Sequence, residues 1–395
     1  MKKNRTLCYI LLLGILFFLS SCNPNNRINI ENHCIPPITD FAYYAGSGDY
    51  EGMRDPYPDN PVLPPEPWKP VTEIDLTLPL LLGIRSYPNN DYEAWFFEAG
   101  LSGLTRTNNN SIYIQKKDAN DPIPVVLHEL FRPADRPIMF IRPDNSVWFS
   151  YDGLSRVNNI ILGKYNDSTK EILPVTKLNS IDHNPIAFTV VIMDYLSGDF
   201  WFIVPNGYIY SYDPDSDILT KHIHIGQKSP AGAVIGPNGN IYIYAYSHEY
   251  SSDGAPQAIF EYSSDNETIE QILFPLDYSG YFPNLFIDQS GRLWVSSSGW
   301  REPGGEWYQM LRSPLFYDSR GYINDWGVSE NWWPPKVEFE SPKNLIWFTG
   351  ILGTYSLDFT EGKWCWVSTS SQLFQDSTGK LWLFAEDILF TYSQK

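Results

Sequence analysis

The chain has 395 residues, of which 19% are charged and 16% are aromatic, and its formal net charge is −18 at pH 7. So acidic a chain repels phosphate backbones and no basic patch offsets the charge, which excludes nucleic acid as a partner. The many aromatic, proline and glycine residues suit short strands joined by turns, and no long amphipathic helix is readable, so the composition favours an all-β domain.

The N-terminus predicts a lipoprotein signal peptide, residues 1–21. A short basic segment precedes an apolar run, residues 7–19, that is too short to span a bilayer stably. The run leads into the tetrapeptide LSSC, which ends at Cys22 and resembles a bacterial lipobox. We expect cleavage before Cys22 and lipidation of its thiol, which would anchor the protein to a membrane on its extracytoplasmic side. A secreted protein that is cut elsewhere is the alternative.

Residues 22–70 predict a tether that begins with the lipidated Cys22. This stretch is rich in Pro and Asn and has no sustained apolar period. Prolines stiffen such a segment, so we expect it to act as a spacer between the membrane and the folded domain, residues 71–395. We expect Trp68, near the end of the tether, to pack on the first repeat unit.

A hairpin motif occurs twice in closely similar form. The sequence LFIDQSGRLWVSS begins at Leu285, and LFQDSTGKLWLFA begins at Leu373. In each copy an apolar strand leads through an Asp-led turn, closed by Gly, into a second apolar strand centred on Trp. This is the turn chemistry of a β-hairpin, and its recurrence indicates a repeat architecture.

Weaker copies become visible when the aromatic residue of the second strand serves as the marker. Further short apolar runs follow these anchors, giving about four strands per unit. The anchors are Trp95, Trp148, Trp201, Tyr242, Trp294, Trp347 and Trp382. Units of about 40–50 residues with four short strands are typical of propeller blades, so the sequence predicts a seven-bladed β-propeller. An all-β sandwich is the alternative, but it does not need the same hairpin seven times.

The pattern DxxGxLWxxx…GLxxY resembles the propeller repeats in the sensor domains of bacterial hybrid two-component regulators. It is similar, more loosely, to virginiamycin B lyase-type propellers. The resemblance covers residues 71–395, closely in two units and loosely in the other five. It implies that the folded part is a β-propeller, and the lipobox at Cys22 implies that the protein is a bacterial lipoprotein.

The last unit supplies only three strands before the chain ends. Residues 71–77 read as a strand with no unit of its own. Because a closed propeller leaves no unprotected edge, we expect this segment to close the ring as the outer strand of the seventh blade, beside the strand of residues 388–392.

Cys34 and Cys365 could form a disulfide once Cys22 carries lipid, because an exported protein permits disulfides. The bond would connect the tether to the sixth unit. Cys365 lies between Trp364 and Trp366 in a predicted strand, so a buried free thiol is the alternative. The sequence contains no CxxC, and a zinc or redox motif is therefore not indicated.

Two runs of metal-ligating residue types have simpler interpretations. His222 and His224 share one face of a predicted outer strand, where we expect exposed side chains rather than metal ligands. Asp213, Asp215 and Asp217 alternate as at the start of an EF-hand loop, but the Gly and Glu that such a loop requires are missing, which favours a solvated turn. We therefore predict neither a metal site nor a cofactor.

Catalytic motifs are equally scarce, since GxSxG, HExxH and a phosphate loop are all missing. Virginiamycin B lyase-type enzymes use His and Glu with a metal on one propeller face. His183 and His248 fall in loops of that kind, but no motif match carries the catalytic roles to them, and we assign no catalytic residue.

Five aromatic residues distinguish the fifth unit. They fall in two stretches, which we interpret as the loop between the second and third strands and the connection to the sixth unit. Both lie on the same face of a propeller, where indoles can bind a sugar ring or an extended peptide. The predicted ligand-binding residues are Trp300, Trp307, Tyr308, Trp332 and Trp333. The alternative is that they cover each other as a small satellite core.

Together these patterns predict a lipid-anchored, extracytoplasmic β-propeller that acts as a ligand-binding or protein-interaction scaffold. Its expected partners are the membrane, through the N-terminal lipid, and a glycan, peptide or protein ligand. An enzyme, either a lyase or a hydrolase acting on an envelope or environmental polymer, is the alternative, and a cluster of His and carboxylates at the mouth of the channel would favour it.

Overall fold

The computed structural model describes most of the predicted repeat region and little of the chain before it. The described residues are 34–35, 64, 67–73, 80–98, 111–119, 121–127, 137–150, 162–181, 189–226, 228–247, 257–272, 285–295, 299–303, 305–309, 336–341, 345–350, 353–360, 363–368, 372–376 and 378–392. The predicted signal peptide, Cys22 and most of the tether lie outside them. The chain divides into two units, residues 1–34 and residues 35–395. No helix among the described residues has the length and apolar character needed to cross a membrane.

The described residues form strands almost throughout. Strands of the first half are β1 (Cys34–Ile35), β2 (Trp68–Glu73), β3 (Leu80–Ser86), β4 (Tyr92–Glu98), β5 (Ser111–Lys116), β6 (Ile123–Leu127), β7 (Ile138–Ile141), β8 (Val147–Ser150), β9 (Leu162–Asn166), β10 (Glu171–Pro174), β11 (Val190–Met193), β12 (Phe200–Ile203), β13 (Tyr208–Asp213) and β14 (Ile218–His224). Strands of the second half are β15 (Lys228–Ile235), β16 (Ile241–Ser247), β17 (Gln257–Ser263), β18 (Thr268–Ile272), β19 (Leu285–Ile287), β20 (Leu293–Val295), β21 (Gly299–Arg301), β22 (Trp307–Gln309), β23 (Lys336–Ser341), β24 (Leu345–Gly350), β25 (Gly353–Asp358), β26 (Lys363–Ser368), β27 (Gln372–Gln375), β28 (Leu381–Ala385) and β29 (Ile388–Tyr392). A short 3-10 helix, Thr176–Ser180, follows β10.

Consecutive strands assemble into antiparallel groups of four. Three of these groups are separate sheets, β11–β14, β15–β18 and β19–β22, and each keeps its sequence order. The groups β3–β6 and β7–β10 join into one eight-stranded sheet because their outer strands, β6 and β10, pair in parallel. The group β23–β26 has an additional neighbour at its outer strand, since Ile35 of β1 lies beside β26.

The last three strands take their fourth from the N-terminal side of the domain. β2 pairs antiparallel with β29, with Trp68 opposite Tyr392 and Glu73 opposite Ile388. The predicted partner segment, residues 71–77, is therefore displaced: the strand begins three residues earlier, and residues 74–79 lie outside the described part. The shift follows from Trp68, whose indole is only 4% exposed and supplies the apolar anchor of the strand.

The position of Trp68 had suggested that it packs on the first unit, and this prediction is wrong. Its ring lies 5.6 Å from that of Trp347 and 5.2 Å from that of Tyr392. It belongs to an apolar cluster with Leu383 and Phe390 of the last sheet. The reason is the pairing of β2 with β29, which carries the indole to the outer part of that sheet rather than to β3.

All seven predicted anchors lie on the second strand of their groups, β4, β8, β12, β16, β20, β24 and β28. Trp95 and Trp294 are completely buried, whereas Trp201 and Tyr242 are half-buried. The cores formed around them lie between successive sheets; one cluster, for example, joins Phe140 of β7 to Phe202 of β12. A fully buried indole removes roughly 150–250 Å² from water, so the anchors fix the face-to-face packing of the sheets.

The two clear copies of the hairpin motif form the same hydrogen-bonded turn. Asp288 accepts hydrogen bonds from the backbone N–H of Arg292 at 2.9 Å and from Nε1 of Trp294 at 2.9 Å. Asp376 accepts the equivalent bonds from the backbone N–H four residues on, at 3.0 Å, and from Nε1 of Trp382, at 2.8 Å. One buried carboxylate therefore closes the turn and satisfies the indole N–H of the anchor, which is why Asp and Trp recur six residues apart.

Candidate functional site

The two ends of the four-stranded groups differ in the lengths of their connections. In an antiparallel group, the turns between the first and second strands and between the third and fourth strands lie at the same end, here called the short-turn end. Between the described strands these turns span only three to six residues. They are 87–91, 117–122, 142–146, 167–170, 194–199, 214–217, 236–240, 264–267, 288–292, 302–306, 342–344, 359–362 and 376–380.

Among the strands β3 to β29, the opposite end, here called the long-connection end, holds every connection of nine or more residues. These connections are 99–110, 128–137, 151–161, 175–189, 248–256, 273–284 and 310–335. Their described parts are few. The 3-10 helix within 175–189 folds back against the sheets, because Leu178 is completely buried and Lys177 donates a hydrogen bond to the backbone carbonyl of Asp217.

The predicted aromatic site is only partly assembled as expected. Trp300 lies in β21 and Trp307 in β22, so this stretch forms the third and fourth strands of its sheet, not a loop between the second and third. The prediction of a loop for this stretch is therefore wrong. The turn is made by residues 302–306, where the N–H of Glu302 donates to the carbonyl of Glu306 at 2.8 Å. Trp332 and Trp333 lie outside the described residues.

Trp300 belongs to the core. It is 2% exposed, stacks on Tyr308 at 5.4 Å and meets Trp294 at 5.0 Å. For this residue the alternative of a satellite core is the correct one, because the antiparallel register places its ring directly across from Tyr308. Its Nε1 donates to Oε1 of Glu302 at 3.2 Å, so the carboxylate of Glu302 satisfies the indole N–H.

Trp307 and Tyr308 remain half-buried on the outer strand of this sheet. Trp307 packs against the apolar cluster of Tyr244 and Leu293, between its own sheet and the preceding one. Tyr308 donates a hydrogen bond from its hydroxyl to Oε2 of Glu306 at 3.0 Å. These two rings are therefore the described members of the predicted set that keep an accessible surface.

Arg142 joins the second and third groups at the short-turn end. Its side chain is 3% exposed, and its Nε donates to the carbonyl of Gly198 at 2.9 Å. The two terminal nitrogens bind both carboxylate oxygens of Asp215, at 3.1 and 3.0 Å, and one also reaches Asp144 at 3.2 Å. Burial lowers the pKa of Arg142, but the hydrogen bond and charge of Asp215 outweigh it and raise the pKa overall.

Arg85 makes the same type of contact one group earlier. Its two terminal nitrogens bind the carboxylate of Asp167 at 2.8 and 3.0 Å, and the buried Glu93 lies at 3.4 Å. The hydrogen bond from Arg85 is the main cause that lowers the pKa of Asp167. Arg85 and Arg142 each follow the apolar part of a first strand. Each binds an Asp in the turn between the third and fourth strands of the next group. The same contact, here called an arginine clamp, therefore occurs twice.

Sequence reasoning missed both clamps because their partners are 82 and 73 residues apart. A signal was nevertheless present. The dipeptide Ile-Arg ends the apolar run in both first strands, at Arg85 and Arg142, and an Asp occupies the corresponding turn of the following unit, at Asp167 and Asp215. Comparing charged positions between neighbouring units would have paired them.

The alternating aspartates at the end of β13 and in the turn 214–217 have three different sets of partners. Asp213 accepts the backbone N–H groups of Asp215 at 2.8 Å and of Ser216 at 3.3 Å, whereas Asp215 binds Arg142. Asp217 accepts the hydroxyl of Tyr212 at 3.0 Å. Among the described residues no group of three or more His, Cys, Asp or Glu side chains could hold a metal ion.

The two strand histidines are not exposed, contrary to prediction. His222 is half-buried, stacks on Trp201 at 4.9 Å and shares a 2.8 Å hydrogen bond with Ser211. Burial lowers its pKa. His224 accepts the N–H of Gly226 at 2.9 Å. Side chains of β14 face the neighbouring aromatic anchor here, which is why alternation alone misplaced them.

The other residues singled out in the sequence are two cysteines and two histidines. Cys365 in β26 is disulfide-bonded, so the alternative of a buried free thiol is wrong. Cys34 lies in β1. His183 and His248 lie outside the described residues.

Solved structures share this architecture. Virginiamycin B lyase from Staphylococcus aureus aligns with a TM-score of 0.51 at 14% identity, over 82% of this chain and 98% of its own. YCF48 bound to D1 peptide aligns at 0.50 and 14% identity, over 85% and 98% of the two chains. The extracellular domain of a hybrid two component system from B. thetaiotaomicron gives 0.49 and 15%, over 82% of this chain and 42% of that one.

The first two alignments, with the groups of four antiparallel strands, define the class: the chain is an all-β protein with the β-propeller fold. The solved neighbours include both kinds of protein that the repeat pattern resembled. At these identities the likeness shows the fold alone. No protein-family model matches the sequence, and no curated protein matches it.

Proposed function

We propose that the protein is a lipid-anchored, extracytoplasmic β-propeller that binds a peptide, protein or glycan ligand at its long-connection end. The observation that carries this proposal is the asymmetry of the connections. Among the strands β3 to β29, all connections of nine or more residues leave the sheets at one end, whereas the other end has only tight turns. Variable segments on a rigid scaffold are where binding residues concentrate.

The scaffold in this proposal is a closed ring of seven blades. Seven groups support the number, if the two halves of the eight-stranded sheet count as two blades and β2 completes the last. The pairing of β2 with β29 and the polar bond between the first and last groups, in which the N–H of Leu81 donates to Oε1 of Gln372 at 2.5 Å, support closure. Closure would leave the ring without an open seam.

The anchor of the proposal is Cys22, and the basic and apolar segments that precede it support lipidation. Residues 22–67 would then form the tether, with the propeller beginning near Trp68. We also propose Cys34 as the disulfide partner of Cys365, because lipidation occupies Cys22 and cleavage removes Cys8. That bond would fix the end of the tether to the sixth blade, and an extracytoplasmic location permits it.

The proposed contact residues are the accessible aromatics of the fifth blade. Trp307 and Tyr308 lie on the outer strand β22, which runs directly into 310–335, the longest connection among the strands β3 to β29. Trp332 and Trp333 belong to that connection. Indole and phenol rings offer a large contact area at low entropic cost, which suits an extended peptide or a sugar ring. Trp300 is excluded from the set because it is buried.

The test is a peptide and glycan array probed with the full chain and with two variants. The first variant replaces residues 310–335 with a short Gly-Ser turn, and the matched control replaces the turn 264–267 at the short-turn end with the same kind of turn. The proposal predicts that array ligands of the wild type are lost with the first variant and kept with the control.

Two outcomes contradict the proposal. If the array gives no ligand that competes in solution, the protein is not a binder of these classes. If the first variant keeps every ligand while melting like the wild type, the longest connection plays no part in recognition.

A further inference from the structure

The outer strands of the four-stranded groups differ in what lies beside their outer edges. The outer strands β6 and β10 pair with each other, and Ile35 of β1 lies beside β26. Among the described strands, β2, β14, β18 and β22 each stand at the end of their sheet. A strand at the end of a sheet presents a row of backbone N–H and C=O groups that can pair with another chain, and proteins therefore protect most such edges.

Three of these four edges carry a protective feature. The register of β14 against β13 shifts between Tyr208 and Tyr210. The register of β2 against β29 shifts between Pro70 and Thr72, and Pro70 itself lacks a backbone N–H. The strand β22 has only three residues. Irregular register, proline and short length each discourage the pairing of an edge with a further strand.

The edge of β18 has none of these features. The strand runs from Thr268 to Ile272, and its sequence, TIEQI, contains no Pro. All five residues pair with β17, from Thr268 opposite Ser263 to Ile272 opposite Ile259, without a shift in register. Ile272 is buried in the apolar cluster between this sheet and the next, which fixes the strand in place. Within the described part of the chain, β18 is therefore a regular edge that is ready for pairing.

The charges on this hairpin indicate what kind of segment could pair with the edge. Glu270 is exposed and lies directly opposite Glu261 on the same face of the sheet. The turn 264–267 adds two exposed acidic residues, and the hairpin of β17 and β18 contains no Lys, Arg or His. Two carboxylates directly opposite each other destabilise a strand pair, so a cation beside Glu270 would be favourable.

We propose that β18 is a docking edge, which binds an extended basic segment of another protein as an additional strand. The backbone of that segment pairs with the outer edge of β18, and one of its Lys or Arg side chains lies beside Glu270. Main-chain hydrogen bonds supply affinity in this mode of recognition, and the side chains of the added strand supply specificity. The docking edge runs along the strand, so the inference does not depend on the ligand face proposed at the long-connection end.

A second copy of this chain is a less favourable occupant of the docking edge. Glu270 is the middle residue of β18. Two antiparallel copies of β18 that pair about their centres would therefore place this carboxylate opposite its own counterpart, and like charges in that position are destabilising. The formal net charge of −18 adds repulsion between copies. The charges favour a basic partner, and self-association becomes an outcome of the test.

The test uses a defined peptide that carries this chemistry. The full chain is immobilised, and an acetylated nine-residue peptide of alternating Thr and Lys is passed over it, with the matching peptide of Thr and Glu as the charge control. We expect binding of the Lys peptide only. Two further Lys peptides carry backbone N-methyl groups, one on every Lys and the other on every Thr.

The N-methylated peptides separate strand pairing from attraction by charge alone. The N–H groups of successive residues in a strand point to opposite edges, so only one of the two sets of methyl groups removes the donors that face β18. We expect one N-methylated peptide to bind about tenfold or more weakly, and the other to bind like the unmodified peptide. Attraction by charge alone would weaken neither peptide.

The variant Glu270→Lys reverses the charge on the docking edge. It should weaken binding of the Lys peptide about tenfold or more, and it should allow the Glu peptide to bind. The control Asp121→Lys makes the same change in net charge at an exposed residue of the turn 117–122, and it should leave the affinity within about twofold. Melting temperatures verify that both variants are folded.

Four results would overturn the proposal. The first is a folded wild type that does not bind the Lys peptide, and the second is equal affinity of the wild type and Glu270→Lys. The third is equal binding of the two N-methylated peptides. The fourth comes from sedimentation of the wild type, where a dimer that the Lys peptide dissociates would assign the docking edge to a second copy of the chain.

Discussion

The short-turn end and the long-connection end of the sheets are built from the same strands but follow different rules. At the short-turn end, buried charged groups tie neighbouring groups together: Arg142 reaches Asp215, and Arg85 reaches Asp167. At the long-connection end, longer segments join the strands, and the longest among β3 to β29 is 310–335. The charged contacts that tie neighbouring groups and the long connections between strands are therefore separated, one at each end of the same sheets.

The separation has a physical reason. A tight turn has few residues to vary, and its carboxylates are already used to satisfy backbone N–H groups or indoles, as in Asp288 and Asp376. Changes there leave buried donors unpaired, which is expensive.

The largest effect expected is from removing the strand that completes the last sheet. Deleting residues 68–73 exposes the edge of β29 and removes Trp68 from its cluster. We expect loss of a cooperative thermal transition, followed by aggregation. Deleting residues 23–31, which precede β1 and Cys34, is the control and should change the melting temperature little. If the variant without residues 68–73 melted like the wild type, neither end of the sheets would depend on this strand.

The next effect concerns the carboxylate that closes a motif turn. Asp288→Ala leaves the indole N–H of Trp294 and the backbone N–H of Arg292 without their acceptor in a buried site. We expect the free energy of unfolding in urea to fall by about 3–5 kcal/mol. Ser290→Ala, at the exposed tip of the same turn, should cost under about 0.5 kcal/mol. Equal losses for the two variants would mean that the motif Asp has no special structural role.

A smaller loss is expected from removing one arginine clamp. Arg142→Met keeps the apolar stem but removes the bonds to Asp215 and Gly198, and we expect a cost of about 2–3 kcal/mol in urea unfolding. Lys177→Met removes an exposed ion pair with Asp217 and should cost about 1 kcal/mol or less. Ligand affinities on the array should stay unchanged with Arg142→Met. A changed ligand profile without loss of stability would place recognition at the short-turn end.

The smallest effect is a pH dependence. The pKa of Asp167 is lowered in the folded state, chiefly by the hydrogen bond from Arg85, so its ionised form stabilises the fold above the ordinary carboxyl pKa. That contribution disappears as the pH falls through the lowered value. Wild type should therefore exceed Asp167→Asn by less than about 1 kcal/mol at pH 7, because the carboxylate is half-exposed, and the two should converge in acid.

Urea unfolding at a series of pH values measures this difference. Asp265→Asn, in the exposed turn 264–267, is the control and should follow the wild type throughout. A difference for Asp167→Asn that grows as the pH falls would contradict the clamp.

Much of the fold was readable from the sequence because the anchors mark it. Trp95, Trp294 and Trp382 lie where the repeat predicted, on the second strand, since a buried indole and its Asp-led turn leave a strong local pattern. The fifth sheet was read incorrectly at Trp300, because β21 and β22 have three residues each, too few for alternation to show. Aromatic residues there were taken for a loop.

The candidate site was less readable for a different reason. Arg85 and Arg142 act on residues in the following group, and such contacts depend on how sheets pack, which no local pattern encodes. The exposed residues of the turn 194–199 could have been noticed as a deviation, since Tyr195 and Leu196 occupy positions where other units have Pro, Asn or Ser. Only their exposure in the structure distinguishes a protrusion from a buried turn.

The central claim, that ligand recognition occurs at the long-connection end, can be tested by blocking one end at a time. Ile138→Cys, at the start of β7, and Asn89→Cys, in the turn 87–91, place accessible thiols at opposite ends of neighbouring groups. Each variant is modified with a polyethylene glycol maleimide, and binding of the strongest array ligand is measured before and after. The account predicts that modification at Ile138→Cys abolishes binding and that modification at Asn89→Cys leaves it intact. The reverse pattern would contradict it.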